Sequence, residues 1–468
     1  MSAPIELTVT LARPAARVDE EPRDPVYALL RVAPQSEAAV RPLLDLCFVV
    51  DASGSMHQFQ LSMEQREQWR QRAEARGEIQ RQTADGRAGL VWSGQTLREL
   101  QQFVSTPMLS SLRGVWRTLE ALEPSDRVAV LAFADHAGVI YEDPGNVSRD
   151  DRLNAARPAL GRLGGGVDES GLGRGTRLAG ALQSALERMA AGSTPALRRV
   201  MLISDGIIED KEACHPLLGR ALDQGLVISV IGVGDEFEEE FLMQAADLTR
   251  GNYYYAASAP EVEQAVQAEL EEITRVVGRE AVLRLVPDSG TVLRDVHPVS
   301  PTLGEFRTLW VENGCWRFRI GDLTAAHSTC FLAQLAPGAH PAGEIRIGAA
   351  RVEAVGAASA EPFSAEVPIK LFYTDEAMLL QARDDEAEDL VRKLEIYREE
   401  RRAAEAAAKG DAEASTRHLR AATRMLRGIG ADDLADEMDA AADETETGTR
   451  NLGRTKKVKA GTRRLSAR

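Results

Sequence analysis

The sequence has few of the features that mark secreted, membrane or metal-thiolate proteins. Only four of its 468 residues are cysteines, and none of them forms a C-x-x-C pair or stands near histidines at zinc spacing. We therefore expect four free thiols without a functional role. No stretch approaches ~18 consecutive apolar residues, so we expect no membrane association. The N-terminal stretch has no basic segment followed by an apolar one, and we expect a cytoplasmic protein.

Charge is distributed unevenly along the chain. Residues 450–468 contain eight Lys and Arg and no acidic residue. Because the whole chain carries a net charge of −16, the remaining residues carry −24. Such a body repels nucleic acid, so we expect no nucleic-acid partner. The basic tail is suited either to an acidic partner or to folding back on its own acidic body.

Residues 41–277 alternate apolar runs with helical patterns, which predicts an α/β domain with a doubly wound, mostly parallel sheet. The candidate strands are continuous apolar runs, as expected for strands covered on both faces. They lie at 43–50, 127–134, 198–204, 226–233 and 252–257. Segment 57–105 interrupts the alternation, and we interpret it as an insertion with its own helices. Its Trp69, Trp92 and Phe103 indicate that it packs on the domain or on a partner.

Different patterns flank this domain on both sides. From 278 to 375 the apolar residues alternate with period two, which favours a β-sandwich. Residues 1–40 alternate similarly, so we expect them to join that sandwich, with the α/β domain inserted between its strands. Residues 376–445 have helical spacing with a break at 409–415, which predicts a helical hairpin. Residues 446–468 have almost no apolar content, and we expect a disordered basic tail.

The stretch VVDASGSM places one carboxylate and two hydroxyls directly after an apolar strand. Asp51, Ser53 and Ser55 occupy alternate positions, and Gly54 permits a sharp turn. In open α/β sheets, ligands bind at the carboxyl ends of the strands, which is where this loop is predicted to lie. One carboxylate with two hydroxyls makes a hard oxygen cluster of the kind that suits Mg²⁺.

Two later stretches bring further oxygen donors to the same predicted edge. GLGRGTRLAGAL is a glycine-rich loop that runs into a helix, with Thr176 at the junction. MLISDGIIED is an apolar strand that ends at Asp205. Taken singly, Thr176 fits a helix N-cap and Asp205 fits a turn. Taken together, the three loops predict a joint site at one edge of the sheet.

In this order, the motifs resemble the von Willebrand factor type A family. DASGSM is similar to the family's D-x-S-x-S metal-ion-dependent adhesion site (MIDAS), GTRLAGAL to its threonine-bearing loop, and LISDG to its second aspartate. The resemblance covers roughly residues 5–375 and extends to bacterial members in which a β-sandwich flanks the A domain. The departure from the family pattern is the insertion, which begins directly after Met56, beside the site.

The resemblance implies a divalent cation, usually Mg²⁺, with Mn²⁺ or Ca²⁺ as alternatives. Its implied ligands are Asp51, Ser53, Ser55 and Thr176, with Asp205 binding directly or through water. Such a metal keeps an open coordination position that an Asp or Glu of another protein can fill. We therefore expect a metal-dependent protein–protein interaction module, acting as a scaffold or adaptor in a bacterial multi-protein system.

Two alternatives to this function stay open at the level of sequence. Enzymatic hydrolysis would need a general base near the metal, and His57 is the only nearby candidate. A histidine in a polar loop is more often a surface residue, so we expect no enzymatic activity. The second alternative is a regulatory or substrate-recognition subunit of an AAA-type ATPase machine.

The basic tail supports a further hypothesis about regulation. Thr455 and Thr462 are each followed by two basic residues, which suits a Ser/Thr kinase if the segment is exposed. Phosphorylation would add negative charge that an Arg-lined phosphothreonine reader could hold. A kinase and such a reader are therefore candidate partners. The competing interpretation is a basic tail that docks on the acidic body.

Overall fold

A computed structural model of the chain describes most of its residues. The described ranges are 4–22, 24–35, 40–59, 63–84, 87–92, 94–103, 105–191, 196–234, 239–306, 309–312, 314–449 and 452–465. Within them the chain forms a β-sandwich, an α/β domain inserted between strands of that sandwich, and a C-terminal helical region.

The first part of the chain starts the sandwich and then enters the α/β domain. Its strands are β1 (Ile5–Leu11), β2 (Ala15–Ala16), β3 (Val26–Pro34) and β4 (Leu44–Asp51). A short 3-10 helix (Ser55–His57) and the insertion follow, with α1 (Met63–Ala75), β5 (Ile79–Ala84), β6 (Arg87–Trp92) and α2 (Gly94–Phe103).

The rest of the α/β domain alternates strands and helices. Its elements are α3 (Pro107–Ala121), β7 (Arg127–Phe133), β8 (Ala137–Asp143), α4 (Arg149–Gly164), α5 (Val167–Ser170), α6 (Ala179–Ala191), β9 (Leu197–Ser204), α7 (Lys211–Asp223), β10 (Val227–Val233), α8 (Glu239–Thr249), β11 (Tyr253–Ala256) and α9 (Ala259–Thr274). In the described residues its sheet has the order β11-β10-β9-β4-β7-β8, and β8 alone runs antiparallel to its neighbour.

Strand β4 lies in the middle of this sheet and is buried along its whole length. Its side chains alternate between two cores, as the pleat of a strand requires. Leu46, Phe48 and Val50 pack with α3, α4 and α9, whereas Cys47 and Val49 pack with α6, α7 and α8. Helices therefore cover both faces of the sheet, and the predicted doubly wound α/β fold is confirmed.

Strands of the sandwich come both before and after the α/β domain in the sequence. Its later strands are β12 (Val276–Pro287), β13 (Thr291–Ser300), β14 (Leu309–Glu312), β15 (Cys315–Thr324), β16 (Thr329–Pro337), β17 (Gly343–Gly356) and β18 (Pro362–Tyr373). In the described ranges the two sheets have the orders β1-β3-β16-β13 and β14-β15-β12-β17-β18-β2. Because β3 pairs antiparallel with both β1 and β16, the N-terminal strands belong to the sandwich, and the α/β domain is an insertion in it.

The insertion in the α/β domain contains more than the predicted helices. Between α1 and α2 the chain forms an antiparallel hairpin of β5 and β6, with Ile79 opposite Trp92. Trp69 is buried, and the guanidinium of Arg72 lies 5.0 Å from the centre of its ring. The side chains of Trp92 and Phe103 lie outside the described residues, so their predicted packing stays a prediction.

The C-terminal region differs from the predicted hairpin and disordered tail. Its helices are α10 (Ala377–Leu380), α11 (Asp385–Ala408), α12 (Ala412–Gly428), α13 (Asp432–Thr447) and α14 (Leu452–Arg463). Helices α11 to α14 share one apolar core with sandwich residues such as Leu29 and Leu332. Within the described ranges, every helix is too short or too polar to span a membrane.

Helix α14 shows why the basic tail is ordered. Among the side chains of this segment that the structure describes, the buried apolar ones are Val458 and Leu465, which are too few to give an amphipathic signal in the sequence. Ionic contacts also hold the helix, since Arg463 pairs with Asp247 of α8 at 2.6 Å and Lys459 lies 3.3 Å from Glu239. The tail thus folds back on the acidic body, as the competing interpretation of the sequence proposed.

Glu400 of α11 gives a pH-dependent test of this packing. Burial raises the pKa of its carboxyl from 4.5 to about 7, against the opposing charges of Lys459 and Arg401. Between pH 4.5 and 7 the carboxyl is protonated in the folded chain and ionised in the unfolded chain. Folding therefore takes up a proton, and the free energy of unfolding falls as the pH rises through this range. We expect Glu400→Gln to raise the free energy of unfolding at pH 8 by ~3 kcal/mol relative to the wild type, and by much less at pH 5.

Urea denaturation at both pH values measures this difference. Glu405→Gln, on an exposed position of the same helix, is the matched control and should change little at either pH. An equal effect of Glu400→Gln at pH 5 and pH 8 would contradict the assignment.

Candidate functional site

Asp51 ends β4 and lies at the carboxyl edge of the parallel sheet. Its side chain is fully buried. Oxygen Oδ1 accepts a hydrogen bond from the backbone N–H of Ser53 at 2.8 Å, and Oδ2 accepts one from the hydroxyl of Ser204 at 2.6 Å. Because Ser204 ends the neighbouring strand β9, the carboxylate is held by both its own loop and the next strand.

The DASGS loop connects directly to the loop after β9. The hydroxyl oxygens of Ser53 and Ser55 are 3.1 Å apart, and the Ser55 hydroxyl donates to Oδ1 of Asp205 at 2.7 Å. Ser53 is buried, Asp205 is 9% exposed, and Ser55 is exposed. The site therefore opens to solvent at Ser55, on the outer side of the two loops.

Thr176 reaches the same place from the third loop. A Cβ atom on Gly206 would lie 3.0 Å from Oγ1 of Thr176 and 3.4 Å from Oδ2 of Asp51. Both oxygens are thus close to one backbone position, and the missing side chain of Gly206 leaves room for them. The structure therefore brings together all five residues that the sequence selected, including Asp205, which precedes Gly206.

Electrostatics in this cluster favour a bound cation. Burial raises the pKa of Asp51 to about 6, although the hydrogen bonds from Ser204 and Ser53 oppose the shift. Within the described part of the chain, no Lys or Arg forms an ion pair with this carboxylate. A buried carboxylate without a countercharge is costly, so a positive ion beside it would be stabilising.

The chemistry of the donor set suits a hard divalent ion. Two carboxylates and three hydroxyls supply only oxygen, which Mg²⁺ prefers and soft metals do not. Among the described residues there is no group of three or more His, Cys, Asp and Glu that could hold a metal. The present cluster contains only two residues of those types, so its capacity for a cation depends on its hydroxyls.

Two family models match parts of this chain. The model described as von Willebrand factor type A domain matches residues 93–268, and the one described as Sll0103-like, C-terminal alpha-helical domain matches residues 385–468. The chain contains a von Willebrand factor type A domain. The first match begins within the insertion, so β4 and the DASGS loop precede it, although β4 is the central strand of the A-domain sheet.

Two relatives share modest sequence identity with the chain. Protein sll0103 of Synechocystis sp. is 25% identical over 240 residues, which cover 49% of this chain and 54% of that protein. YfbK of Escherichia coli is 23% identical over 167 residues, which cover 35% of this chain and 27% of YfbK. The chain therefore aligns with about half of the first relative and less of the second.

Solved structures extend the likeness over the whole fold. A von Willebrand factor type A protein from Catenulispora acidiphila has a TM-score of 0.72 at 15% identity, covering 98% of this chain and 96% of that chain. The ArnB paralog VWA2 from Sulfolobus acidocaldarius has a TM-score of 0.56 at 12% identity, with complete coverage of both chains. At these identities the likeness shows the fold of the A domain and its flanking regions.

Asp210 and Glu209 hold the Thr176 loop of the A domain, and the sequence analysis did not select them. The carboxylate of Asp210 accepts hydrogen bonds from the N–H groups of Leu178 (2.8 Å) and Ala179 (3.1 Å) at the start of α6. Oxygen Oε1 of Glu209 accepts one from the N–H of Thr176 at 3.2 Å. Asp210 directly precedes α7, so its position in the sequence predicts an N-cap of α7. The side chain of Asp210 instead caps α6.

His57 follows the DASGS loop and is half-buried. Burial lowers the pKa of its imidazole, which favours the neutral ring. Its Nε2 atom is buried and has no hydrogen-bond partner within the described residues. The expectation that the A domain has no enzymatic activity stays a prediction.

The two tail threonines are not in an exposed segment. Thr462 is fully buried in α14, and its hydroxyl donates to the backbone carbonyl of Val458 at 3.1 Å. Thr455 is half-buried in the same helix. A kinase would have to detach α14 to reach Thr462, and phosphorylation of the two threonines stays a prediction.

Replacing Asp210 with alanine tests its role as a support of the site. The substitution removes two hydrogen bonds at the start of α6, so we expect a loss of ~1–2 kcal/mol in the free energy of unfolding. Glu212→Ala, at an exposed position of α7, is the control and should cost less than ~0.5 kcal/mol. Denaturant titration measures both, and equal losses in the two variants would contradict the capping role.

Proposed function

We propose that the A domain binds a divalent cation, with Mg²⁺ the first candidate, and through it an acidic residue of a partner protein. The observation that carries the proposal is the convergence of five oxygen-bearing side chains at the carboxyl edge of the sheet. They come from the loops after β4 and β9 and from the loop before α6, namely Asp51, Ser53, Ser55, Thr176 and Asp205.

Each residue has a distinct role in this proposal. Asp51 would supply the buried negative charge, positioned by Ser204 and the N–H of Ser53. Ser53, Ser55 and Thr176 would supply neutral oxygens, and Asp205 would bind at the more open side. These five donors would leave one position of an octahedral ion open, and that open position is what the site would offer to an acidic side chain of a partner.

The surface around the site is suited to protein contact. Ile207 follows the Asp205–Gly206 turn and is 61% exposed, which is unusual for isoleucine. On the neighbouring loop, Arg174 is also exposed. An apolar side chain and a cation on the loops of the site would contact an acidic residue together with its surroundings.

The rest of the chain supports a scaffold or adaptor role by fixing the A domain in place. Arg199 at the start of β9 pairs with Asp322 of the sandwich at 2.9 Å, and Arg463 of α14 pairs with Asp247 of α8. Residues of the sandwich, the A domain and the helical region are thus linked by ion pairs. A partner bound at the metal would therefore be held in a defined orientation to the other two parts.

Calorimetric titration with Mg²⁺ tests the metal site. The wild type should bind one equivalent, and Asp51→Ala should abolish measurable binding because the charged ligand is lost. The matched control is Glu405→Ala, which removes an exposed carboxylate of α11 and should leave Mg²⁺ affinity within twofold. Undiminished affinity in a folded Asp51→Ala variant would refute the ligand assignment.

Affinity capture from the native host tests the partner. We expect the wild type to retain a partner that is released by EDTA and restored by Mg²⁺, and Asp51→Ala to retain none of it. A protein retained equally with EDTA would contradict metal-dependent recognition. Metal-dependent retention of an AAA-type ATPase would instead favour the regulatory-subunit alternative.

A further inference from the structure

The A domain has an open groove between α3 and α4, outside the metal site. Its volume is about 730 Å³ and it is lined mainly by apolar atoms. Leu112 and Trp116 form the α3 side, and Leu160 and Gly161 form the α4 side. Trp116 is only partly buried, so part of its indole is exposed in the groove.

Gly161 leaves the backbone of α4 uncovered in the groove, although a larger residue would fit there. It lies within α4 and is exposed, and a Cβ atom added there would meet no atom within 4 Å. Alanine would fit without strain and would favour the helix, since glycine is the weaker helix former. A glycine at this position instead keeps space over the helix backbone, of the kind that a second helix needs for close approach.

The groove is lined by more positive than negative side chains, namely three arginines and two glutamates. Glu263 pairs with Arg117, whereas Glu120 keeps its charge and accepts a hydrogen bond from the indole N–H of Trp116 at 3.1 Å. Arg113 and Arg157 also line the groove and form no ion pair with any described residue. On a chain of net charge −16, this is a locally basic surface.

Arg157 is positioned by the aromatic ring. Its guanidinium carbon lies 5.2 Å from the centre of the Trp116 ring, within the range of a cation–π contact. This contact holds a positive charge at the edge of the apolar surface. An incoming ligand would therefore meet an apolar strip with a cation of α4 on one side and Arg113 of α3 on the other.

We propose that this groove binds an acidic amphipathic helix of a partner protein. Apolar residues of that helix at positions i, i+3, i+4 and i+7 pack on Leu112, Trp116 and Leu160, and its acidic residues pair with Arg113 and Arg157. This docking does not use the metal ligands. It therefore stands or falls separately from the proposed cation site.

Fluorescence anisotropy with a synthetic probe tests the proposal in EDTA. The probe is a labelled 18-residue helix-forming peptide, with Leu on one face at helical spacing and Glu on the other. We expect it to bind the full chain at least tenfold more tightly than a scrambled peptide of the same composition, and tenfold more tightly than a version with Lys in place of Glu. Equal binding of the three peptides would overturn the proposal.

Substitutions on the protein side locate the binding surface. Gly161→Leu should fill the groove and weaken peptide binding at least tenfold, without lowering the melting temperature, because the position is open and leucine is the better helix former. Gly219→Leu, at another helical glycine with no atom within 4 Å, is the matched control and should bind normally. The double variant Arg113→Glu with Arg157→Glu should also lose at least tenfold in affinity.

Two results would contradict the assignment of the groove as the binding site of an acidic helix. Undiminished peptide binding by a folded Gly161→Leu variant would overturn the location. Sedimentation that shows a dimer of the wild type, dissociated by Gly161→Leu, would assign the groove to a second copy of the chain and overturn the acidic-helix partner.

Discussion

The burial of Asp51 is the constraint on which the account of this protein depends. Strand β4 is covered on both faces, so its last residue has little access to water, and its carboxylate has to be stabilised by the protein or by an ion. The hydrogen bonds from Ser53 and Ser204 provide part of that stabilisation and also fix the geometry. They bring the ends of β4 and β9 into the spacing at which Ser55 contacts Asp205.

The architecture explains why such a site can be combined with so much additional chain. The cluster lies at the carboxyl edge of the A-domain sheet, whereas the chain enters and leaves that domain through the sandwich strands β3 and β12. The insertion begins after the 3-10 helix beside the site and ends before α3. Loops at the functional edge can therefore be extended without changing the contacts between the A domain, the sandwich and α14.

The α/β fold and the gathering of the site residues could be predicted because the signals are local. Five apolar runs mark the parallel strands, and Asp51 and Asp205 directly follow two of them. The ordered tail could not be predicted, because its partners Asp247 and Glu239 lie more than two hundred residues away and its apolar pattern is weak. Asp210 was missed for a related reason, since its position before α7 conceals the contact with α6.

The most direct measurement of the central claim is a crystal structure grown with Mn²⁺, with anomalous diffraction recorded at the manganese edge. The account predicts one strong anomalous peak within coordination distance of Asp51, Ser53, Ser55 and Thr176, beside Asp205. A peak elsewhere, or full manganese saturation of the crystals with no peak among these residues, would contradict it.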